Sequence, residues 1–196
     1  MKVSIVIPVY ILNQELVDLT YATFKSLEQT DWGDYNVELI VVDDGSPDGY
    51  DFLKSYSDVY IRGRTNHGFP WAVNKGIQVS SGELLLISNN DIKVSPNWLK
   101  VAKEIFAQDD KVGMVHYKMV GYDEDFALGE DIWIEGKEKW YSGSFFAIKR
   151  EALPEGLYDE NYGLGGFDDW DLQHRVRHIN GWKGAYTNRA AYQHKD

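Results

Sequence analysis

Val3-Ser4-Ile5-Val6-Ile7-Pro8-Val9-Tyr10 is an apolar run broken by a single serine, with no polar alternation. A strand with one wet face alternates, so a continuous run predicts burial on both faces, the habit of parallel sheets. The run stops at Pro8-Val9-Tyr10, and Asn13 stands where it can cap a following helix. Leu16, Leu19, Thr23 and Leu27 then fall on one helical face. The unit repeats outward from there. Val37-Glu38-Leu39-Ile40-Val41-Val42 predicts a second strand, stopped by the turn Asp43-Asp44-Gly45-Ser46-Pro47. Val59-Tyr60-Ile61 reads as a third. Pro70 opens a helix with Val73 and Ile77 inward, Gly82 breaks the chain, and Glu83-Leu84-Leu85-Leu86-Ile87 is the next buried strand, halting at Ser88-Asn89-Asn90-Asp91. Ser95-Pro96 predicts an N-cap and first-turn proline for a helix bearing Trp98, Val101 and Ile105.

Strand and helix alternate in this way to about residue 116, which implies an α/β domain with a mostly parallel sheet and helices on both faces. Residues 117–140 lose the period and read as a loop-rich excursion. Ser144 to Ile148 predicts another strand, Asp168 to His178 a helix, and Ala185–Thr187 and Ala190–Gln193 two short strands. There is no internal repeat and no low-complexity tract. Residues 1–196 are therefore expected to form a single domain whose sheet continues with mixed strands.

Composition narrows the function. A chain of 196 residues, 43% hydrophobic and 14% aromatic, can bury a full core. A net charge of −11 excludes a general nucleic-acid binder, which needs a basic face. An acidic protein can still hold an anionic nucleotide if a metal ion supplies local positive charge. The chain has no cysteine, so a disulfide framework, a thiolate zinc site and a thiol nucleophile are all excluded. The N-terminal apolar run is too short for a signal peptide, and no stretch approaches the roughly 20 residues that span a bilayer. With no transmembrane segment, the sequence places the protein in the cytoplasm. The chain stops two residues after His194, which reads as a minimal enzyme without an anchor or appended domain.

In an open α/β sheet, ligands bind beyond the carboxyl ends of the strands. Pro8-Val9-Tyr10, Asp43-Asp44, Asn66-His67-Gly68 and Asn89-Asn90-Asp91 all stand at or just after such ends. One such cluster is an ordinary turn; four in succession predict a shared crevice. No Gly-x-Gly-x-x-Gly follows the first strand and no phosphate-binding Gly-x-x-x-x-Gly-Lys loop occurs, so a dinucleotide dehydrogenase and a P-loop enzyme lose their support. A metal held by hard oxygen ligands would instead neutralise bound phosphates.

Val3 to Tyr10, Val41-Val42-Asp43-Asp44-Gly45-Ser46, Asn66-x-Gly68-Phe69 with Asn74-Lys75-Gly76-Ile77, and Asn89-Asn90-Asp91 resemble, in order and spacing, the landmarks of family 2 glycosyltransferases of the GT-A fold. Ser142-Gly143-Ser144-Phe145-Phe146-Ala147-Ile148-Lys149-Arg150 is similar to that family's acceptor-side segment. Gly166-Phe167-Asp168-Asp169-Trp170-Asp171-Leu172, followed by Arg175, resembles its Glu-Asp-x-Asp-Leu motif. The likeness runs from residue 3 to 194. It implies a metal-dependent, inverting hexosyltransferase that moves a sugar from a nucleotide-sugar donor, UDP-linked, to a carbohydrate or other hydroxyl acceptor. Residues 1–116 would be the nucleotide-binding half and 117–196 the acceptor-binding and catalytic half.

The resemblance also implies roles. Asp44 would contact uracil, Pro8, Val9 and Tyr10 would line the nucleotide pocket, and Gly68 would let backbone approach the base. Asn66 and Asn74 would hold base or ribose. Asn89-Asn90-Asp91 stands in place of an Asp-x-Asp motif, with Asp91 as metal ligand and Asn90 on ribose or phosphate. The first acid has become Asn89, which leaves the metal site less charged. His194 would complete that site, and an imidazole ligand leans toward Mn²⁺ over Mg²⁺. Asp169 would be the general base, with Asp168 beside it. The bland reading of that pair is an N-cap at Asp168 and a first-turn acid at Asp169; Asp171 suits an ion pair with Arg175 on the next turn. Ser142 and Gly143 fall on the acceptor side, and among the seven tryptophans Trp140 and Trp170 are placed to face sugar. The rival readings are a non-catalytic nucleotide-sugar binding module, a retaining GT-A transferase, and a nucleotidyltransferase, whose glycine-rich, arginine-containing signature is absent.

Overall fold

The computed structural model describes residues 1–135 and 139–195. The opening run forms strand β1 (Lys2–Val9), buried along nearly its whole length. Helix α1 (Gln14–Glu28) follows, and the Asn13 side chain accepts from the Leu16 N–H as its N-cap. Next come β2 (Asn36–Asp43), a short helix α2 (Asp51–Tyr56), β3 (Val59–Arg62), α3 (Phe69–Val79) and β4 (Leu84–Ser88). The chain then turns into β5 (Ile92–Val94), α4 (Trp98–Gln108), β6 (Val112–Gly121), β7 (Ile132–Glu135), β8 (Phe145–Lys149), α5 (Asp168–His174) and the long β9 (Lys183–His194).

The strands form one sheet in the order β3-β2-β1-β4-β8-β6-β9-β5, with β7 against β9. From β3 to β4 every pairing is parallel; β8 is antiparallel to both β4 and β6, and β9 returns parallel to β6. Two apolar layers cover the sheet. Ile5, Ile7 and Val9 point with Phe24, Leu27, Trp98 and Ile105 toward α1 and α4, whereas Val6 points the other way with Val73 and Ile77 of α3, Leu172 of α5 and Val176 just beyond it. This is the period-2 division that a strand buried on both faces requires.

Several expected elements take a different form. Ser95 is not the N-cap of α4. Its hydroxyl accepts from the Ala191 N–H, which ties the β5 end to β9, and the helix starts at Trp98 without a side-chain cap. The two closing strands are a single strand whose register against β6 slips between Thr187 and Ala191. The 117–140 excursion begins as the outer half of β6 and contains β7. The helix from Asp168 is regular only to His174 and continues as a π turn over Arg175–Ile179.

Candidate active site

The parallel half delivers its turns to one rim. The Asp44 N–H donates to Val9 O (2.8 Å), joining the ends of β1 and β2. The mixed half reaches the same rim by antiparallel pairing. Ser88 opposes Phe145, so the amino end of β8 lies at the carboxyl end of β4, and the Asn89 N–H donates to Ser144 O (2.7 Å). Ile92 opposes His194, which brings the end of β9 beside the Asn89–Asp91 turn.

Two adjoining cavities result. One, about 210 Å³, is lined by Pro8, Val9, Tyr10, Asp44, Asn66, Gly68, Phe69, Ala72, Asn89, Asn90, Asp91 and Leu164. The other, about 270 Å³, is lined by Phe69, Asn89, Ser142, Gly143, Ser144, Gly165, Gly166, Asp168 and Asp169. Phe69 and Asn89 belong to both walls. A larger groove of about 630 Å³ lies around Met1, Phe106 and Arg150 and holds none of the strand-end residues.

In the first cavity, Asp44 is buried and shapes its own wall. Its oxygens accept from the His67 N–H (2.9 and 3.0 Å) and the Gly68 N–H (2.6 Å), and Oδ1 lies 3.0 Å from His67 Nδ1. The His67 ring is stacked on Trp71, and Asn66 Oδ1 also accepts from Gly68. The 66–68 loop is thus wrapped around one carboxylate. Gly68 has φ +103°, and a side chain there would overlap the carbonyl of Gly163, so only glycine lets the two loops meet. Asn90 donates to Thr20 Oγ1 (2.8 Å), which fixes its amide against α1.

Asn74 does not join this cavity. It is buried, and its amide is spent on Tyr158: Nδ2 donates to Tyr158 O and to Glu160 Oε1 (2.9 Å each), and Oδ1 accepts from the Tyr158 N–H (2.9 Å). The expected base or ribose contact is replaced by a clamp on the 158–160 segment.

In the wall of the first cavity, Asp91 Oδ1 is buried without a hydrogen-bond partner, 3.5 Å from His194 Nε2. Asn89 Nδ2 stands 3.3 Å from the same nitrogen. A buried carboxylate oxygen with no donor, next to an imidazole nitrogen, suits a cation. Among the described residues no third His, Cys, Asp or Glu joins them. The protein side therefore offers two ligands, and the rest would come from phosphate and water.

In the second cavity, Asp169 Oδ2 accepts from the Gly143 N–H (3.0 Å) and Oδ1 from its neighbour Trp170 (2.8 Å). Burial raises the Asp169 pKa above its ordinary value and the Asp168 charge adds to this, against the pull of the Gly143 and Trp170 N–H groups. Asp168 is not an N-cap: Phe167, in the left-handed region at φ +64°, precedes the helix, and Asp168 Oδ1 accepts backwards from Gly166 (2.7 Å). The Gly163, Gly165 and Gly166 backbones all have positive φ, which carries this loop across both cavity mouths. Ser142 Oγ lies 2.9 Å from Ser144 Oγ and stiffens the segment that presents Gly143. Asp171 and Arg175 form the expected ion pair (2.6 Å).

Neither Trp140 nor Trp170 lines either of these two cavities. Trp140 stacks at small angles on Trp170 and on His178 (centroids 5.7 and 5.9 Å), so its ring is engaged within the protein. Trp170 and Phe167 remain exposed beside the Asp169 cavity, at 46% and 68% of their surface. Phe69 and Leu164 complete the wall beside the strand-end residues, and His67 supports Asp44 from behind.

The chain belongs to glycosyl transferase family 2, whose model matches residues 4–171. It is similar to glycosyltransferase GlyG of Streptococcus pneumoniae, 26% identical over 88% of this chain and 64% of that protein. By structure it is similar to S. aureus TarS 1-349 in complex with UDP (TM-score 0.75, 18% identity, 100% of this chain and 61% of that one). It is also similar to the mannosyltransferase PcManGT of Pyrobaculum calidifontis in complex with GDP-Man and Mn²⁺ (TM-score 0.72, 19% identity, 96% and 56%). The chain thus spans under two thirds of the length of these proteins. The likeness confirms the GT-A type of α/β fold. No helix among the described residues is long and apolar enough to cross a membrane.

Proposed function

We propose that the chain is a divalent-metal-dependent, inverting glycosyltransferase. It would move a sugar from a nucleoside diphosphate, UDP in the first instance, to a carbohydrate or other hydroxyl acceptor. The observation that carries this reading is the orphaned Asp91 oxygen, with His194 3.5 Å from it, in the wall of one cavity and Asp169 in the wall of the next, across the shared Phe69 and Asn89. Pro8, Val9, Tyr10, Asn66 and Gly68 would enclose the nucleoside, Asp44 would hold the base, and Asn90 would reach ribose or phosphate. Asp91 and His194 would hold the metal, which offsets charge on the departing diphosphate.

In the second cavity the acceptor hydroxyl lies against Asp169. Its oxygen bonds to the anomeric carbon as the bond to the diphosphate oxygen breaks, and its proton passes to the Asp169 carboxylate. A single base on the face opposite the leaving group inverts the anomeric centre, and anomeric analysis of the product tests this. The raised pKa makes Asp169 a better proton acceptor than an exposed aspartate. Ser142 and Gly143 border the acceptor, and Trp170 offers it an exposed ring. The mixed imidazole and carboxylate donors favour Mn²⁺ over Mg²⁺. We place the activity in the cytoplasm, where nucleotide sugars are made.

Thermal shift with UDP, GDP and dTDP, with and without Mn²⁺, tests the donor half. The expected result is stabilisation by UDP that needs Mn²⁺ and is lost in Asp91→Ala. A response to GDP alone would reassign the base, and no response to any nucleotide far above micromolar concentrations would remove the reading.

A further inference from the structure

Gly143 and Asp169 meet where no sheet pairing holds them. β8 joins the ladder only from Phe145 onward, so the backbone of the segment before it must find partners elsewhere. It finds them along one face of α5 and the π turn beyond. The Gly143 N–H donates to Asp169 Oδ2 (3.0 Å). Gln173, one turn on, donates from Nε2 to Tyr141 O (2.7 Å) and accepts at Oε1 from the Tyr141 N–H (3.1 Å). Arg177, a turn further, donates from Nη1 to Lys139 O.

The two series keep step. Asp169, Gln173 and Arg177 are four residues apart, about 6 Å along a helix. Gly143, Tyr141 and Lys139 are two apart, about 6.6 Å along an extended chain. The middle rung is the strongest. Gln173 is 1% exposed, and its Nε2 also donates to Asp169 O (3.2 Å), so the amide ties Tyr141 to the residue that carries the carboxylate. A side-chain amide offers a donor and an acceptor on separate atoms, as a neighbouring strand would.

His116 of β6 braces the segment from the sheet side. Burial pushes its pKa down to about 3, so the ring is neutral, and Nδ1 donates to Ser142 O (3.3 Å). The same ring stacks on Tyr141 and Phe146 (centroids 5.2 and 5.3 Å). We propose that Gln173 is a positioning residue for the base: by pinning Tyr141 one turn beyond Asp169, it fixes the Gly143 N–H on Oδ2 and so sets how the carboxylate faces the acceptor. The proposal rests on Asp169 being the base.

The test reads the Gly143 amide by ¹H–¹⁵N NMR across a pH titration of wild type, Gln173→Met and Asp169→Asn. An amide proton donated to a carboxylate moves downfield as the bond becomes charge-assisted. In wild type the Gly143 resonance should therefore follow the ionisation of Asp169, and Asp169→Asn should flatten it. Gln173→Met, of similar length but without the amide, is expected to flatten it too, with exchange protection at Gly143 reduced about three- to tenfold, the worth of one hydrogen bond. In the transfer assay that scores Asp169→Asn, its kcat should fall about 10–100-fold while the Mn²⁺-dependent thermal shift by UDP is kept. A Gly143 amide that titrates as in wild type would overturn the proposal, and so would a flattened amide with unchanged kcat. Should Gln173→Met fail to fold, Gln173→Glu keeps the bond from the Tyr141 N–H and loses those to Tyr141 O and Asp169 O. Wild-type exchange at Gly143 in that variant at neutral pH would equally remove the proposal. If Asp169→Asn kept transferase activity, the base assignment would fail by itself; if it were inactive while Gln173→Met left the Gly143 amide unchanged, only the role of Gln173 would fall.

Discussion

The two halves of the sheet build their parts of the site by different means. From β3 to β4, each functional group sits in the turn that ends its own strand, and local bonds shape it: Asp44 folds the His67–Gly68 backbone around itself. From β8 to β9, the groups come together through long-range register. Ser144 meets Asn89 and His194 meets Asp91 because antiparallel partners fall opposite one another, and Gly143 meets Asp169 through a hydrogen bond to α5. On the proposed reading, donor recognition stands on a regular parallel frame, and the chemistry stands where the frame becomes irregular. Changes at Gly143 and Asp169 should alter turnover with donor binding preserved, and changes at the far edge of the first half should alter stability alone.

The sharpest way to break that division is Asp169→Asn. Turnover is expected to fall by about 10²–10⁴-fold, the usual worth of a positioned base, with nucleotide affinity retained. The half-buried Asp169 has a raised pKa, so its ionised form is less favourable folded than unfolded; that loss of stability is fully present at neutral pH and disappears as pH falls through the raised value. Asn, of the same shape and uncharged, should therefore raise the melting temperature at pH 7 and leave it little changed in acid. In the wild type, the acid limb of kcat/KM should lie above the ordinary aspartate value of 3.8, since the base must be ionised to act. Weaker nucleotide binding in this variant would show that the two halves are coupled.

Gly143→Ala asks a narrower question. A Cβ there would stand 2.5 Å from Asp169 Cβ and 3.0 Å from Oδ2, so the base must move. A displacement of that size should lower kcat by about 10–100-fold and leave the Mn²⁺-dependent thermal shift by nucleotide intact. Unchanged kcat would mean that Asp169 has latitude which a general base held for in-line attack should not have.

The same contrast explains what could be read from residue order. The parallel strands, the Asn13 cap and the crevice at the strand ends were legible because an unbroken apolar run and a turn carry their meaning within a few residues. The gathering of Asp44, Asn66, Gly68, Asn90 and Asp91 follows from the strand-end rule alone. Asn74 was legible as special but not in its role, because the partner that takes its amide is Tyr158, far along the chain. Ser95 looked like a cap, and only the pairing of β9 shows that its hydroxyl belongs to Ala191. Trp140 could be marked as an exposed ring, yet its engagement by Trp170 and His178 depends on how the π turn after α5 sets the rings. No local signal encodes those distances.

The smallest expected effect lies at the opposite edge of the parallel half. Glu38 on β2 accepts from Ser4 Oγ (2.5 Å) and the Ser81 N–H (2.6 Å), and pairs with Lys2 (2.5 Å), so it stitches β1, β2 and the entry to β4 together. Burial alone would raise its pKa, but Lys2, Ser4 and Ser81 outweigh it and lower the group from 4.5 to about 2. A depressed carboxyl stabilises the fold above its unfolded value, and that contribution is lost as pH falls from about 4.5 through about 2. Glu38→Gln should therefore reduce stability by about 1 kcal/mol at pH 7, the scale of a partly screened ion pair, or roughly 2–4 °C in melting temperature. The difference from wild type should close as the pH approaches 2, while kcat and nucleotide affinity at neutral pH stay unchanged. A change in kcat would mean that strain at the amino edge of the parallel strands reaches Asp169, and the separation between frame and chemistry would have to be given up.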